Sequence, residues 1–204
     1  MTALLIASAL LVSALTLYSL AHYLCAAVFL FSPSKKRSFD GDPMDAVSVL
    51  VPARNEGESA LRALASLVEQ DHSGPRTLYL LIKDSADSCI ALLARRHPDI
   101  LFDVPAPNTI ELPEREGCVT MVVYTGMDPK SDKINYMVSQ LSTPYLAILD
   151  ADHQARPDWI RTSLCLLHEK NARIIQGTRG PLVAHGFFPM WDSLHQHIGC
   201  EVFN

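Results

Sequence analysis

The fold of this chain is decided by the stretch Val47-Ser48-Val49-Leu50-Val51-Pro52-Ala53-Arg54-Asn55-Glu56-Gly57. Its first five residues are mostly β-branched or aliphatic and stop at a proline, which predicts a buried strand. The polar residues that follow predict a loop, and apolar residues at helical spacing then predict a helix: Leu61, Leu64, Leu67 and Val68. A strand, a loop and a helix in succession are the opening of an α/β domain.

The same pattern of strand, loop and helix recurs along the chain. The further predicted strands are Thr77–Ile82, Val119–Tyr124, Tyr145–Leu149 and Ala172–Gly177, and the further predicted helices are Cys89–Arg96, Ile134–Leu141 and Asp158–Lys170. Strands that alternate with helices favour a mostly parallel sheet with helices on both faces. Such sheets bind ligands beyond the carboxyl ends of their strands, so functional residues are expected in the loops that follow them.

The N-terminal segment differs from the rest of the chain. Residues 1–34 contain no Asp, Glu, Lys or Arg, and the nearly uninterrupted apolar run is longer than the roughly 20 residues that span a bilayer. We interpret residues 1–34 as a transmembrane helix and residues 35–46 as a basic and polar linker. Because the linker begins with Lys35, Lys36 and Arg37, we expect an integral membrane protein whose following domain faces the cytoplasm.

Composition excludes several functional classes. The net charge of −5 argues against a protein that coats nucleic acid, so no nucleic-acid partner is expected. The five cysteines form no C-x-x-C pair, which disfavours a structural zinc site or a disulfide-stapled fold. The chain is therefore expected to fold around a hydrophobic core in a reducing compartment.

Asp150-Ala151-Asp152-His153 follows directly on the apolar strand that ends at Leu149. If the chain turns there, two carboxylates and one imidazole converge on a hard cation, which keeps positions open for the oxygens of a diphosphate. Asp150, Asp152 and His153 are therefore the candidate ligands of Mg²⁺ or Mn²⁺. The alternative is a helix start in which Asp152 is a capping residue and nothing binds.

Several motifs, in the same order, resemble those of family 2 glycosyltransferases. The stretch 47–56, followed by 66–72, resembles the opening of that family, and the run 150–153 resembles the metal motif of its cellulose-synthase-like branch. The string Lys133-Ile134-Asn135 resembles the ceramide glucosyltransferases. The resemblance covers about residues 47–177. It implies a glycosyltransferase A-type fold, which is Rossmann-like with a mostly parallel sheet, and a UDP-sugar donor with Mg²⁺ or Mn²⁺.

The resemblance also assigns donor-binding residues. It places uridine contacts on Ala53 and Glu56 and on Asp84, where the family usually has two adjacent acids and this chain has Lys83 before Asp84. Asp87 is interpreted instead as a solvated cap of the helix that follows. Asp150 is expected to serve the nucleotide-sugar as well as the metal.

Two lysines compete for the diphosphate contact. Synthase-type spacing ahead of Asn135 selects Lys130, whereas the ceramide-glucosyltransferase string selects Lys133, which we favour. Either ammonium is a point charge able to neutralise a phosphate. A solvated lysine at a helix start is the alternative for both.

The resemblance implies that residues 47–204 are the N-terminal, donor-binding part of the domain, apparently truncated. In the family the base that deprotonates the acceptor follows later, so the catalytic residue is expected outside this chain. The expected reaction of the whole enzyme is transfer of a hexose, with inversion, from a UDP-sugar to a polysaccharide or lipid acceptor. This chain alone is therefore expected to be inactive. The rival interpretation is a non-catalytic, membrane-tethered binding or scaffold module, or an inactive fragment.

Overall fold

The computed structural model describes residues 2–31, 41–114 and 116–177. The chain forms two compact units, one containing the N-terminal helix and the other containing the described residues from 41 to 175. Of the predicted linker, residues 35–40 lie outside the described part, and residues 41–46 form neither helix nor strand. Residues 178–204 of the predicted domain also lie outside it.

Helix α1 spans Thr2–Phe31. Within it, the 20 residues Leu5–Leu24 have a mean hydropathy of 1.7 and none of them is buried, and their length is sufficient to cross a membrane. A signal sequence near an N-terminus can meet the same criteria of length and hydropathy. The single apolar helix predicted ahead of the α/β domain is therefore present.

The second unit is built on a five-stranded sheet with the order β3-β4-β2-β1-β5. The strands are β1 Val47–Pro52, β2 Arg76–Ile82, β3 Asn108–Pro113, β4 Cys118–Tyr124 and β5 Tyr145–Ile148. Strand β1 pairs in parallel with β2 and β5, and β2 pairs in parallel with β4. Among the described strands β3 alone is antiparallel, and it pairs with β4. The predicted mostly parallel α/β sheet is confirmed.

Helices cover both faces of this sheet. They are α2 Glu58–Val68, α3 Ser88–Arg96, α4 Lys130–Val138 and α5 Trp159–Lys170. Helices α2, α3 and α5 pack on one face, in a core that includes Val49, Leu78 and Val122. Helix α4 covers the other face, where Met137 packs with Leu50. Because β1, β2, β4 and β5 run parallel, the loops that follow them all emerge at one edge of the sheet.

The structure departs from the sequence prediction at three elements. Strand β3 was not predicted, because it follows Pro107, ends at Pro113 and is stabilised by its pairing with β4. Residues 172–177 were predicted as a strand, but they have no ladder partner among the described residues, and Ile174 is 86% exposed. Helix α4 begins four residues before Ile134, because the backbone of Pro129 is set for a helix start.

Candidate functional site

Four loops meet at the carboxyl edge of the parallel strands. They are the first loop (residues 53–57), the second loop (83–87), the third loop (125–129) and the acidic loop (149–153). Backbone hydrogen bonds join each to a neighbouring strand or loop: Ala53 N to Leu81 O, Thr125 N to Ile82 O, Gly126 N to Lys83 O and Leu149 N to Leu50 O. Side chains from four separate parts of the sequence therefore lie at one edge.

Asp87 links the first loop to the second. One of its carboxylate oxygens accepts from the amide of Asn55 at 2.9 Å, and the other accepts from the amide of Cys89 at 3.0 Å. Asn55 Oδ1 in turn accepts from the amide of Ser88 at 3.2 Å. Asp87 does cap α3, but the prediction that it is solvated was wrong. It is 7% exposed, because the first loop packs over it.

Lys133 lies beneath the first loop. Its side chain is 1% exposed, and its Nζ donates to the carbonyl oxygen of Ala53 at 2.6 Å. Burial lowers the pKa of Lys133, and the charges of Asp87, Asp128 and Glu56 oppose that shift. The lysine favoured for the diphosphate contact is therefore enclosed by the protein.

The leading amides of the first loop are already paired. The amide of Ala53 donates to Leu81, that of Arg54 donates to Glu56 Oε2, and that of Asn55 donates to Asp87. Ala53 is buried, so its uridine contact has no free backbone polar group to use. Glu56 is exposed beside it.

The second loop carries Asp84 in a half-buried position, where one carboxylate oxygen accepts from the amide of Ala86 at 3.0 Å. Its neighbour Lys83 points to the third loop and pairs with Asp128 at 2.8 Å. That hydrogen bond raises the pKa of Lys83 and lowers the pKa of Asp128. Lys83, which stands where the family usually has an acid, thus pairs with Asp128, a residue that the sequence analysis did not identify.

The acidic loop brings its three candidate ligands together. Ligand atoms of Asp150, Asp152 and His153 all lie within 4.8 Å of one another. The turn is closed by the amide of His153, which donates to Asp150 O at 2.9 Å, and His153 Nδ1 lies 2.8 Å from Asp152 Oδ1. The donor set of two carboxylates and an imidazole suits Mg²⁺ or Mn²⁺.

Two further features bear on the interpretation of this loop. Lys130, the first residue of α4, forms an ion pair with Asp150 through its Nζ, and it is half exposed. The N-cap position of α5 is occupied by Asp158, so the alternative in which Asp152 caps that helix was wrong. Of the two candidate lysines, it is Lys130 that the fold places against the acidic loop.

A mostly parallel α/β sheet with an acidic loop at its carboxyl edge is the arrangement expected of a glycosyltransferase A-type domain. The family described as Glycosyl transferase family 2 matches residues 48–198, and the chain belongs to this family. The family and the fold predicted from the sequence are thereby confirmed. No curated protein sequence matches the chain.

Solved structures show weaker similarity. The crystal structure of S. aureus TarS is 12% identical, with a TM-score of 0.46, and the match covers 70% of this chain and 23% of that one. The mannosyltransferase PcManGT from Pyrobaculum calidifontis, in complex with GDP-Man and Mn²⁺, is 18% identical with a TM-score of 0.41, covering 79% and 43%. The chain thus spans less than half the length of these proteins.

Proposed function

We propose that this chain supplies the donor-binding part of a membrane-anchored, inverting hexosyltransferase that uses a UDP-sugar. The observation that carries the proposal is the convergence of Asp150, Asp152 and His153 within 4.8 Å at the carboxyl edge of the sheet. Glu56 and Asp84 follow the adjacent strands β1 and β2 at the same edge. A metal-ligand set beside two carboxylates suits a ligand with a diphosphate at one end and hydrogen-bond donors at the other.

The acidic loop would hold Mg²⁺ or Mn²⁺ through Asp150, Asp152 and His153. When bound, such a cation offsets the negative charge of the diphosphate as the nucleotide leaves. We assign the diphosphate contact to Lys130, because it is half exposed and pairs with Asp150. An ammonium in that position adds a positive charge beside the metal ligands without needing bidentate geometry.

The nucleoside end of the donor is assigned to the first and second loops. Uracil carries an imide N–H and ribose carries two hydroxyl groups, all of which donate hydrogen bonds to carboxylates. Glu56 is exposed and Asp84 is half-buried, so both offer carboxylate oxygens at the edge. Ala53 is buried and its backbone groups are already paired, so we assign it a supporting role in the loop that carries Glu56.

The proposal also includes the branch of the glycosyltransferase family and the location of the chain at the membrane. The motifs of the acidic loop and of Lys133-Ile134-Asn135 favour the cellulose-synthase-like and ceramide-glucosyltransferase-like branch, whose acceptors are polysaccharides or lipids. Helix α1 would anchor the chain, and the basic residues after it would orient the α/β unit to the cytoplasm. The base that activates the acceptor is not assigned to any residue of this chain.

The proposal is tested by thermal unfolding of the full chain in detergent with UDP, GDP or CDP, each with and without Mn²⁺. A ligand at about 100 times its Kd stabilises a protein by about 2.7 kcal/mol, which raises the unfolding temperature measurably. We expect a rise with UDP and Mn²⁺ together and a smaller one with GDP or CDP. A folded chain that responds to no nucleotide would contradict the proposal and support the scaffold module.

A further inference from the structure

We propose that Lys133 is a positioning residue that fixes the first loop through the carbonyl of Ala53, and thereby sets where the nucleoside of the donor docks. The inference rests on the proposed function and deepens it. It assigns the two lysines of α4 to different ends of the donor, with Lys130 at the diphosphate and Lys133 acting on the nucleoside through the loop.

The contact joins two distant segments of the chain. Lys133 lies in the first turn of α4, and its Nζ reaches Ala53 O, 80 residues away in sequence, at 2.6 Å. The side chain lies on the buried side of α4, as does Met137 one turn later. With 1% of its side chain exposed, Lys133 presents no surface to a ligand that arrives from solvent.

A buried ammonium is costly unless it is paired and hydrogen-bonded. The negative charges that act on Lys133 come from three different loops, with Glu56 in the first, Asp87 in the second and Asp128 in the third. These charges offset part of the cost of burying the ammonium, and the hydrogen bond to Ala53 O satisfies one of its donors. A methionine would fill similar space, but it would leave the carbonyl of Ala53 without its donor.

The first loop is held from two sides. Lys133 holds Ala53 from below, and Asp87 holds the amide of Asn55 from the second loop. Asn55 has a left-handed backbone with φ of 57°, a conformation that persists where surrounding contacts enforce it. Glu56, the carboxylate assigned to the nucleoside, follows directly, so its position depends on both contacts.

The test compares UDP with uridine, which lacks the diphosphate. Affinities are measured by calorimetry for UDP and by NMR titration for uridine, both in Mg²⁺, on the full chain and on Lys133→Met and Lys130→Met. For Lys133→Met we expect both affinities to fall about tenfold, so that their ratio is unchanged. For Lys130→Met we expect UDP affinity to fall about tenfold and uridine affinity to stay the same.

Lys170→Met, the same change at an exposed lysine of α5, is the matched control and should leave both affinities unchanged. A fall in the ratio of UDP to uridine affinity in Lys133→Met would overturn the proposal, because it would mean direct contact with the diphosphate. Unchanged uridine affinity in that variant would overturn it as well.

Lys133→Arg retains a positively charged hydrogen-bond donor, and it replaces Lys133→Met in the test if that variant does not fold. We expect Lys133→Arg to lower both affinities by a few-fold with the ratio unchanged, since the larger guanidinium shifts the carbonyl of Ala53. A changed ratio, or unchanged uridine affinity, would again overturn the proposal. A wild-type chain that binds neither UDP nor uridine would be a failure of the proposed function itself, which is a distinct result.

Discussion

The first loop and the acidic loop follow neighbouring strands, β1 and β5, yet they are held in opposite ways. The first loop is fixed by buried groups, Lys133 from below and Asp87 from the side. In the acidic loop Asp152 is 70% exposed, and Asp150 pairs with the half-exposed Lys130. The comparison teaches that one loop is shaped by the protein alone, while the other keeps its charged groups accessible to a cation.

Among substitutions that test this difference between the two loops, we expect the largest loss of stability at Asp87. Asp87→Ala removes the cap of α3 and leaves the amide of Asn55 without its acceptor, so the free energy of unfolding should fall by about 3 kcal/mol. Chemical denaturation without ligand measures this. Asp99→Ala, at an exposed aspartate, is the control, and equal small losses in both variants would show that the first loop is not held through Asp87.

The next effect is a pH dependence that arises from Lys133. Burial sets its pKa in the folded state below the ordinary 10.5, so the unfolded chain binds more protons between those two values. The stability of the wild type should therefore rise relative to Lys133→Met as pH increases through that window towards 10.5. Denaturation of both proteins between about pH 8 and pH 10.5 measures the difference. A constant difference would show that the pKa of Lys133 is the same in the folded and unfolded states, and a difference of opposite sign would show that folding raises it.

A smaller effect on stability is expected in the acidic loop. Asp152→Ala should change the free energy of unfolding by less than about 0.5 kcal/mol in the absence of metal, because its pairing with His153 is exposed. The same denaturation experiment, with a chelator present, measures it. A loss of stability as large as that of Asp87→Ala would mean that the side chain of Asp152 stabilises the fold instead of being accessible to a cation.

The smallest effect is expected at the pair between the second and third loops. Lys83→Met removes the hydrogen bond that lowers the pKa of Asp128, so that pKa should rise towards its ordinary value while the fold is unchanged. NMR titration of the Asp128 carboxyl group measures it. An unchanged pKa would show that the two side chains are not paired in solution.

Sequence patterns predicted the strands and helices whose apolar residues recur at regular spacing. They missed β3, because this antiparallel strand depends on its pairing with β4 rather than on a local pattern. They wrongly predicted a strand over residues 172–177 for the same reason, since a β-rich segment needs a neighbouring strand as well as suitable residues.

In the candidate site, the sequence predicted the cluster of metal ligands, which are adjacent in the chain. It did not predict the burial of Asp87 and Lys133, which depends on contacts with distant residues. Asp150, Asp152 and His153 lie within four positions, so one turn brings them together. The burial of Asp87 and Lys133 depends on contacts with the first loop, 32 and 80 residues away. The buried residues of α4 are Lys133 and Met137, one turn apart, and this spacing was the available signal that Lys133 faces inward.

The most direct test of the central claim is calorimetric titration of UDP into the full chain with and without Mn²⁺, repeated on Asp150→Ala and Asp152→Ala. The account predicts Mn²⁺-dependent binding in the wild type that is lost in both variants, because the two carboxylates of the acidic loop would hold the cation. UDP binding that is equally tight without Mn²⁺ and in both variants would contradict it.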